Sequence, residues 1–239
     1  MRFFLSKKRE FDIKKWHLRF FVYFCGMKVQ IKTDYIHALI AEGEHWQQDF
    51  KFEISDARKI AKTLSAFANT QGGRLLIGVK DNGKIAGVQS AEEQYMIEAA
   101  AEMYCKPQVK CNMQNYLVEN RTVLLVQVEE SLQKPVYAQD NDGKWLAYLR
   151  IKDENILATP VHLRVWQQSG REEGELIEFT ERERLLLQLL QDNDRLSLNR
   201  YCRLAHLSRP AAQHLLAKFI RYGIVEAVFE DHKFHFKLK

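Results

Sequence analysis

Between Ser65 and Gly83 the chain reads Ser-Ala-Phe-Ala-Asn-Thr-Gln-Gly-Gly-Arg-Leu-Leu-Ile-Gly-Val-Lys-Asp-Asn-Gly, and few folds accommodate such a run. The apolar stripe Ile60, Ala61, Leu64 and Ala68 predicts a helix that stops at Asn69-Thr70, where Gly72 and Gly73 supply backbone conformations that side chains resist. Leu75–Val79 is a continuous apolar run of strand length, as expected for a strand covered on both faces. Asp81-Asn82-Gly83-Lys84 is a hairpin signal, so Ile85–Val88 is expected to return as a strand.

The flanking patterns extend this picture. A helix is predicted over 34–42, ended by Gly43. Trp46, Gln48, Phe50 and Phe52 then alternate with Gln47, Asp49, Lys51 and Glu53, a short strand presenting Asp49 and Lys51 on one face. Ser55 is expected to cap the helix over 55–70. A further helix is predicted over 90–105 and is stopped at Lys106-Pro107. Strands follow around 109–113 and 122–128, then a short extended piece at 134–137. A second hairpin turn at 141–144 leads to a last strand over 145–151, and a closing helix over 160–168. Helices interleaved with hairpin strands define an α+β domain with a mixed or antiparallel sheet.

Charge is distributed unevenly. The formal net charge of the 239 residues is +5. Residues 1–26 hold seven Lys or Arg against Glu10 and Asp12, so the whole excess sits there and the remainder is neutral. That segment mixes bases and aromatics without a steady period, and Met27 opens an ordinary domain start. The reading is that Met27 initiates the functional chain and that residues 1–26 are an extension. The cysteines, Cys25, Cys105, Cys111 and Cys202, lack CxxC or Cys/His ligand spacing, which argues against a zinc module or a disulfide scaffold. No run reaches the ~18–20 apolar residues of a membrane span. A reduced, cytoplasmic protein without membrane contact is expected.

From 27 to 168 the chain reads as one domain, from 169 to 177 as a polar linker, and from 178 to 239 as a second, smaller module. In the latter, Thr180 with Glu183 forms a capping-box pattern ahead of a leucine-rich helix. A second helix covers 199–205, and a third runs from Arg209 to Tyr222, capped by Ser208 with Pro210 in its first turn. Alternation over 224–229 and 233–238 around Glu230-Asp231-His232 predicts a β-hairpin. Three helices and a hairpin in this order resemble a winged helix-turn-helix, in which the third helix enters the major groove and the hairpin touches the backbone. Ser208, Arg209, Gln213 and His214 would then face bases, with Lys218 and Arg221 nearer phosphates. Modules of this shape also dock proteins or dimerise.

The combination Glu44-x4-Asp49-Phe50-Lys51, the 65–83 stretch, Gly87, Lys134-Pro135-Val136-Tyr137 and Tyr148-Leu149-Arg150 resembles the Schlafen AlbA-like family, over about residues 35–160. The resemblance marks Asn69, Thr70, Gly72, Gly73 and Gly78 as motif positions and implies a nucleic-acid-binding domain. In Schlafen nucleases, carboxylates of the motif Glu-x4-Glu-Phe-Lys and one after the Gly-Val strand bind divalent metal and cut RNA. The matching positions are Glu44, Asp49 and Asp81, and Mg²⁺ or Mn²⁺ would be the implied ion, with Asp49 standing where the family has glutamate. Lys51 could neutralise a phosphate, and Arg150, which matches the arginine of the family's Tyr-x-Arg strand, could line a phosphate-binding face. Turn chemistry and a solvated strand face explain Asp81, Asp49 and Lys51 equally well. There is no GxxxxGK[ST] phosphate loop, so ATP is not expected. The leading expectation is a DNA-binding transcriptional regulator, acting as a homodimer, with structured RNA as the other polyanion. A metal-dependent endoribonuclease and a non-enzymatic protein-docking module are the alternatives.

Overall fold

A computed structural model of the chain describes residues 29–30, 33–88, 90–168 and 179–239. The extension over 1–26 and the linker over 169–177 lie outside the described residues.

The first body is built on a five-stranded sheet of order β1-β5-β6-β3-β2. Its strands are β1 (Val29–Gln30), β2 (Gln48–Lys51), β3 (Gly73–Ile77), β5 (Cys111–Val118) and β6 (Arg121–Val128). The outer pairs β1/β5 and β2/β3 are parallel and the inner pairs antiparallel, so of the two arrangements the sequence allows, mixed or antiparallel, the sheet is mixed. Helix α1 (Thr33–Glu42) covers one face, where Ile36 and Leu39 meet Phe50, Leu76, Tyr116, Val123 and Leu125. Helices α2 (Ala57–Asn69) and α3 (Glu92–Glu102) cover the other, against Leu75, Ile77, Leu124 and Val126. The end of interior strand β3, Leu75–Ile77, is thus buried on both sides, which is why its sequence there is an unbroken apolar run.

A second sheet, β4 (Cys105–Lys106), β7 (Tyr137–Gln139), β8 (Trp145–Ile151) and β9 (Glu154–Leu157), lies on the far side of α2 and is antiparallel. Asn69, at the end of α2, fastens the helix to it. Its Nδ2 donates to the carbonyls of Val136 (2.8 Å) and Tyr148 (3.0 Å), and its Oδ1 accepts from Val136 N (2.7 Å). Thr70 donates to Ala66 O at 2.8 Å and closes the last turn.

Several local expectations are corrected. Asp56, not Ser55, caps α2, its carboxylate accepting from Arg58 N at 2.9 Å. The expected return strand over 85–88 is reduced to a single Val79–Ile85 bridge. Gly78 and Gly87 have φ of 88° and 85°, and the amides of Ala86 and Gly87 both donate to Gly78 O. That close crossing replaces a ladder, and a Cβ on Gly78 would lie 2.7 Å from the Gly87 carbonyl carbon. Strand β9 follows what was expected to be the last strand. The hairpin at 119–120 turns on two residues with positive φ, Glu119 and Asn120, the geometry that matches the twist of paired strands.

Helix α4 (Pro160–Gln168) leaves the second sheet just after Ala158, whose N–H still bonds Ala147 O. It packs into a separate core rather than onto the sheets: Val161 is fully buried among residues of the C-terminal elements. Those are α5 (Glu181–Gln191), β10 (Leu196–Ser197), α6 (Leu198–Leu204), α7 (Arg209–Arg221), β11 (Val225–Glu230) and β12 (Lys233–Leu238). Leu186, Leu190, Tyr201, Leu216, Phe219 and Phe236 fill this core, beneath an antiparallel sheet of order β10-β12-β11. Among the described residues no helix is long and apolar enough to cross a membrane.

Candidate functional site

Two places hold the residues singled out by sequence. The first lies where β2 meets the second sheet. A tight turn, closed by His45 N bonding Gln48 O and the reverse, starts β2 late. As a result Asp49 points inward and is only 4% exposed. The solvated strand face expected for Asp49 is therefore absent. The reason is Arg150, on β8, which reaches across the body and is itself 5% exposed. Its Nη2 donates to Asp49 Oδ1 at 3.0 Å and to Gln48 O at 3.1 Å, and its Nη1 donates to Asn155 Oδ1 at 3.0 Å. Asn155 in turn donates to Thr63 of α2 at 2.9 Å. The guanidinium carbon stands 5.2 Å from the centre of the Phe67 ring, a cation–π contact.

Lys51 closes the cluster from outside. Its Nζ lies 2.7 Å from Asp49 Oδ2 and donates to Phe50 O at 2.8 Å. Glu44 accepts from Phe50 N at 2.9 Å. Burial raises the Glu44 carboxyl above its ordinary value; the Phe50 N–H opposes this, the adjoining Asp49 carboxylate reinforces it, and Lys51 opposes it. Glu44 and Asp49 lie side by side, and sequence reasoning missed that Arg150 is their neighbour. The expected phosphate ligand at Arg150 is corrected: its guanidinium is buried and engaged with Asp49, Gln48 and Asn155 and is not presented at the surface.

The residues do not fit the divalent ion that the Schlafen nuclease resemblance implies. Each Asp49 oxygen already faces a cation, and Asp81 sits exposed in the turn after β3. Among the described residues no group of three His, Cys, Asp or Glu side chains is placed to hold a metal ion. The motif glycines and Asn69 serve the fold: a Cβ on Gly73 would lie 2.4 Å from the Phe67 ring, the same ring on which Arg150 rests.

The second place is the surface around the start of α7. Ser208 precedes the helix in extended conformation, as a cap should, and is exposed. Arg209 is exposed and donates to Asn199 Oδ1 at 2.9 Å, tying α7 to α6. His214 is exposed one turn further on. Gln213 is corrected. It is 7% exposed and stands in the buried stripe with Ala212, Leu216 and Ala217, so it cannot face a base. Lys218 is also corrected, since its Nζ bonds Glu183 at 3.1 Å inside the module. Burial alone would raise the Glu183 carboxyl, but the Thr180 hydroxyl and Lys218 outweigh it and hold it below the ordinary value. Arg221 stacks 5.3 Å from the Tyr222 ring centre and reaches Gln168 O at 3.5 Å, joining the end of α7 to α4.

Sequence reasoning missed Arg200, Arg203 and His206, exposed on α6 and the turn that follows it. The signal was present: from Arg195 to Val225 the chain contains no Asp or Glu.

No curated protein matches the chain. Among solved structures, a crystal structure of a protein from Corynebacterium diphtheriae aligns with a TM-score of 0.42 and 18% identity, covering 62% of this chain and 33% of its own. This chain thus spans about a third of that protein. The solution NMR structure of the N-terminal domain of a Nitrosomonas europaea protein, described as related to the ATP-dependent DNA helicase RecG, aligns with a TM-score of 0.38 and 21% identity. It covers 64% of this chain and 97% of its own. The family model described as Schlafen, AlbA_2 matches residues 44–159. Those limits enclose Glu44, Asp49, the 65–83 stretch and Arg150 and end just before α4, so it is residues 44–159 that carry the similarity to the Schlafen AlbA_2 family.

Proposed function

We propose that this is a nucleic-acid-binding protein, a cytoplasmic DNA-binding transcriptional regulator. In this reading residues 178–239 act as a winged helix-turn-helix, with α7 as the recognition helix and the β11–β12 hairpin as the wing. The observation that carries it is the ridge formed by Arg200, Arg203, His206, Ser208, Arg209 and His214. All are exposed, and all lie in the stretch that holds no carboxylate. Phosphate neutralisation is the dominant sequence-independent term in DNA affinity, and local positive charge supplies it even where the body is neutral overall. In this reading Arg209 and His214, in the first half of α7, contact base edges, while Arg200 and Arg203 pair with backbone phosphates. A homodimer reading paired half-sites suits this module.

The nuclease reading is disfavoured by the engagement of Asp49 with Arg150 and Lys51, which consumes a required ligand. The experiment is duplex DNA binding by fluorescence anisotropy across a salt series. Affinity is expected to fall steeply with salt. Arg203→Ala should flatten the log–log slope by roughly one unit, the loss of one phosphate contact. Binding insensitive both to salt and to Arg203→Ala and Arg209→Ala would instead make the module a protein-docking element.

A further inference from the structure

Four strands of the first sheet carry polar side chains at a single register level. Gln48 of β2 stands opposite Arg74 of β3, Arg74 opposite Gln127 of β6, and Gln127 opposite Asn112 of β5. Neighbours at one level project from the same face, so they form a continuous row of amide, guanidinium, amide and amide. Two residues further along the same face, Phe50, Leu76 and Leu125 are buried in the core beneath α1. The polar row comes where α1 has ended, and there the face opens into a groove of about 460 Å³. Gln47, Arg74, Lys110, Asn112, Gln127 and Glu129 line it. Small-molecule sites fall in the range of roughly 300–1,000 Å³.

One end of the row is locked in place. Gln48 donates to Leu39 O at 2.6 Å and Gly43 O at 2.7 Å, and its Oε1 accepts from Arg74 Nε at 2.6 Å. Glu42 pairs with Arg74 Nη2, leaving Nη1 without a partner among the described residues. The other end is unspent: Lys110, Asn112, Gln127 and Glu129 engage no protein group through their side chains among the described residues. A fixed guanidinium beside two adjacent unpartnered carboxamides is a pre-organised polar surface, which costs little further ordering when a ligand arrives.

The chemistry of the set is specific. Carboxamides offer a paired donor and acceptor that match nucleobase edges, a carboxylate accepts from ribose hydroxyls, and Lys with Arg pairs a phosphate. A simple anion would leave the carboxamides idle, and a neutral sugar would leave the cations idle. We propose that this groove binds a nucleotide, with its phosphate at Lys110 and Arg74, its base edge at Asn112 and Gln127, and its ribose at Glu129. The nucleotide is either free or one unit of a single strand. The site is distinct from the α6–α7 ridge and stands independently of duplex binding there.

The test is calorimetric titration of the full chain with AMP, GMP, CMP and UMP, and with a single-stranded hexanucleotide, against inorganic phosphate and adenosine as controls. At least one mononucleotide is expected to bind saturably, and more tightly than either control. Lys110→Ala and Asn112→Ala, both at exposed positions, should each weaken it by about tenfold, the loss of one good polar contact. Duplex affinity measured on the same variants should stay unchanged. If the hexanucleotide alone binds and the same two substitutions weaken it, the proposal holds with a strand as the source. No saturable binding of either ligand overturns it, as does affinity unmoved by both substitutions. Inorganic phosphate competing as well as the nucleotide also overturns it, since the carboxamides would then read nothing.

Discussion

Replacing Arg150 with alanine isolates the interaction on which the body over 44–159 turns. The guanidinium makes three good hydrogen bonds, to Asp49, Gln48 and Asn155, and joins β8 to β2 and, through Asn155, to α2. Truncation would leave the Asp49 carboxylate buried beside Glu44, with Lys51 as its one remaining cation. Breaking a buried pair from one side costs about 3–5 kcal/mol, because the desolvated charge stays behind. With a urea m-value of about 2 kcal/mol/M, the midpoint should fall by roughly 1.5–2.5 M. Arg150→Lys should recover little, since one ammonium cannot span the fork geometry. The double variant Arg150→Met with Asp49→Leu should recover a substantial part, because neither charge is then stranded. The assay is urea unfolding followed by circular dichroism at pH 7. A loss below about 1 kcal/mol, the range of an exposed ion pair, together with weakened nucleic-acid binding, would refute the reasoning and return Arg150 to the role of phosphate ligand.

Other substitutions test the same architecture. Asn69→Ala removes three buried hydrogen bonds to Val136 and Tyr148 and should cost about 2–4 kcal/mol, read as a lowered thermal midpoint; Asn69→Asp should be as harmful, since an acceptor would then face two carbonyls. Gly78→Ala combines a positive φ with a Cβ 2.7 Å from Gly87 and should cost about 1–3 kcal/mol. Burial lowers His162 to about 4, so the folded state binds fewer protons than the unfolded one between about pH 4 and 6.5. Stability of the C-terminal module should therefore fall as pH drops through that window, by up to roughly 3 kcal/mol, and His162→Phe should flatten the profile. Glu44 has the opposite sign: its raised pKa means that stability falls as pH rises from its ordinary value toward its folded one, and Glu44→Gln, which keeps the acceptor for Phe50 N, should remove that decline in acid-range unfolding curves.

What the sequence disclosed and what it hid divide along a physical line. The twice-buried run 75–77 and the helix stop at Asn69 were legible because local patterns determine them: apolar continuity and glycine; the strand expected around 109–113 instead runs over Cys111–Val118 into the turn at 119–120. The inward turn of Asp49 was not legible, because alternation assigned it to the solvent face. Only the arrival of Arg150, about a hundred residues later in the chain, makes burial of that charge tolerable. Gln213 and Lys218 failed in the same way. Their helix was predicted correctly, but its orientation is fixed by α4 and by Glu183 of α5, neither of which is local to it. Long-range pairing decides which charges are spent on the fold and which remain for a partner. In this chain the motif charges Asp49 and Arg150 are spent, and so is Lys218. Arg200, Arg203 and Arg209 remain exposed, and so does Lys110 of the sheet groove. Asp49 and Arg150, charges that match the family motif closely, are therefore engaged within the fold, and the bases left exposed lie elsewhere in the chain.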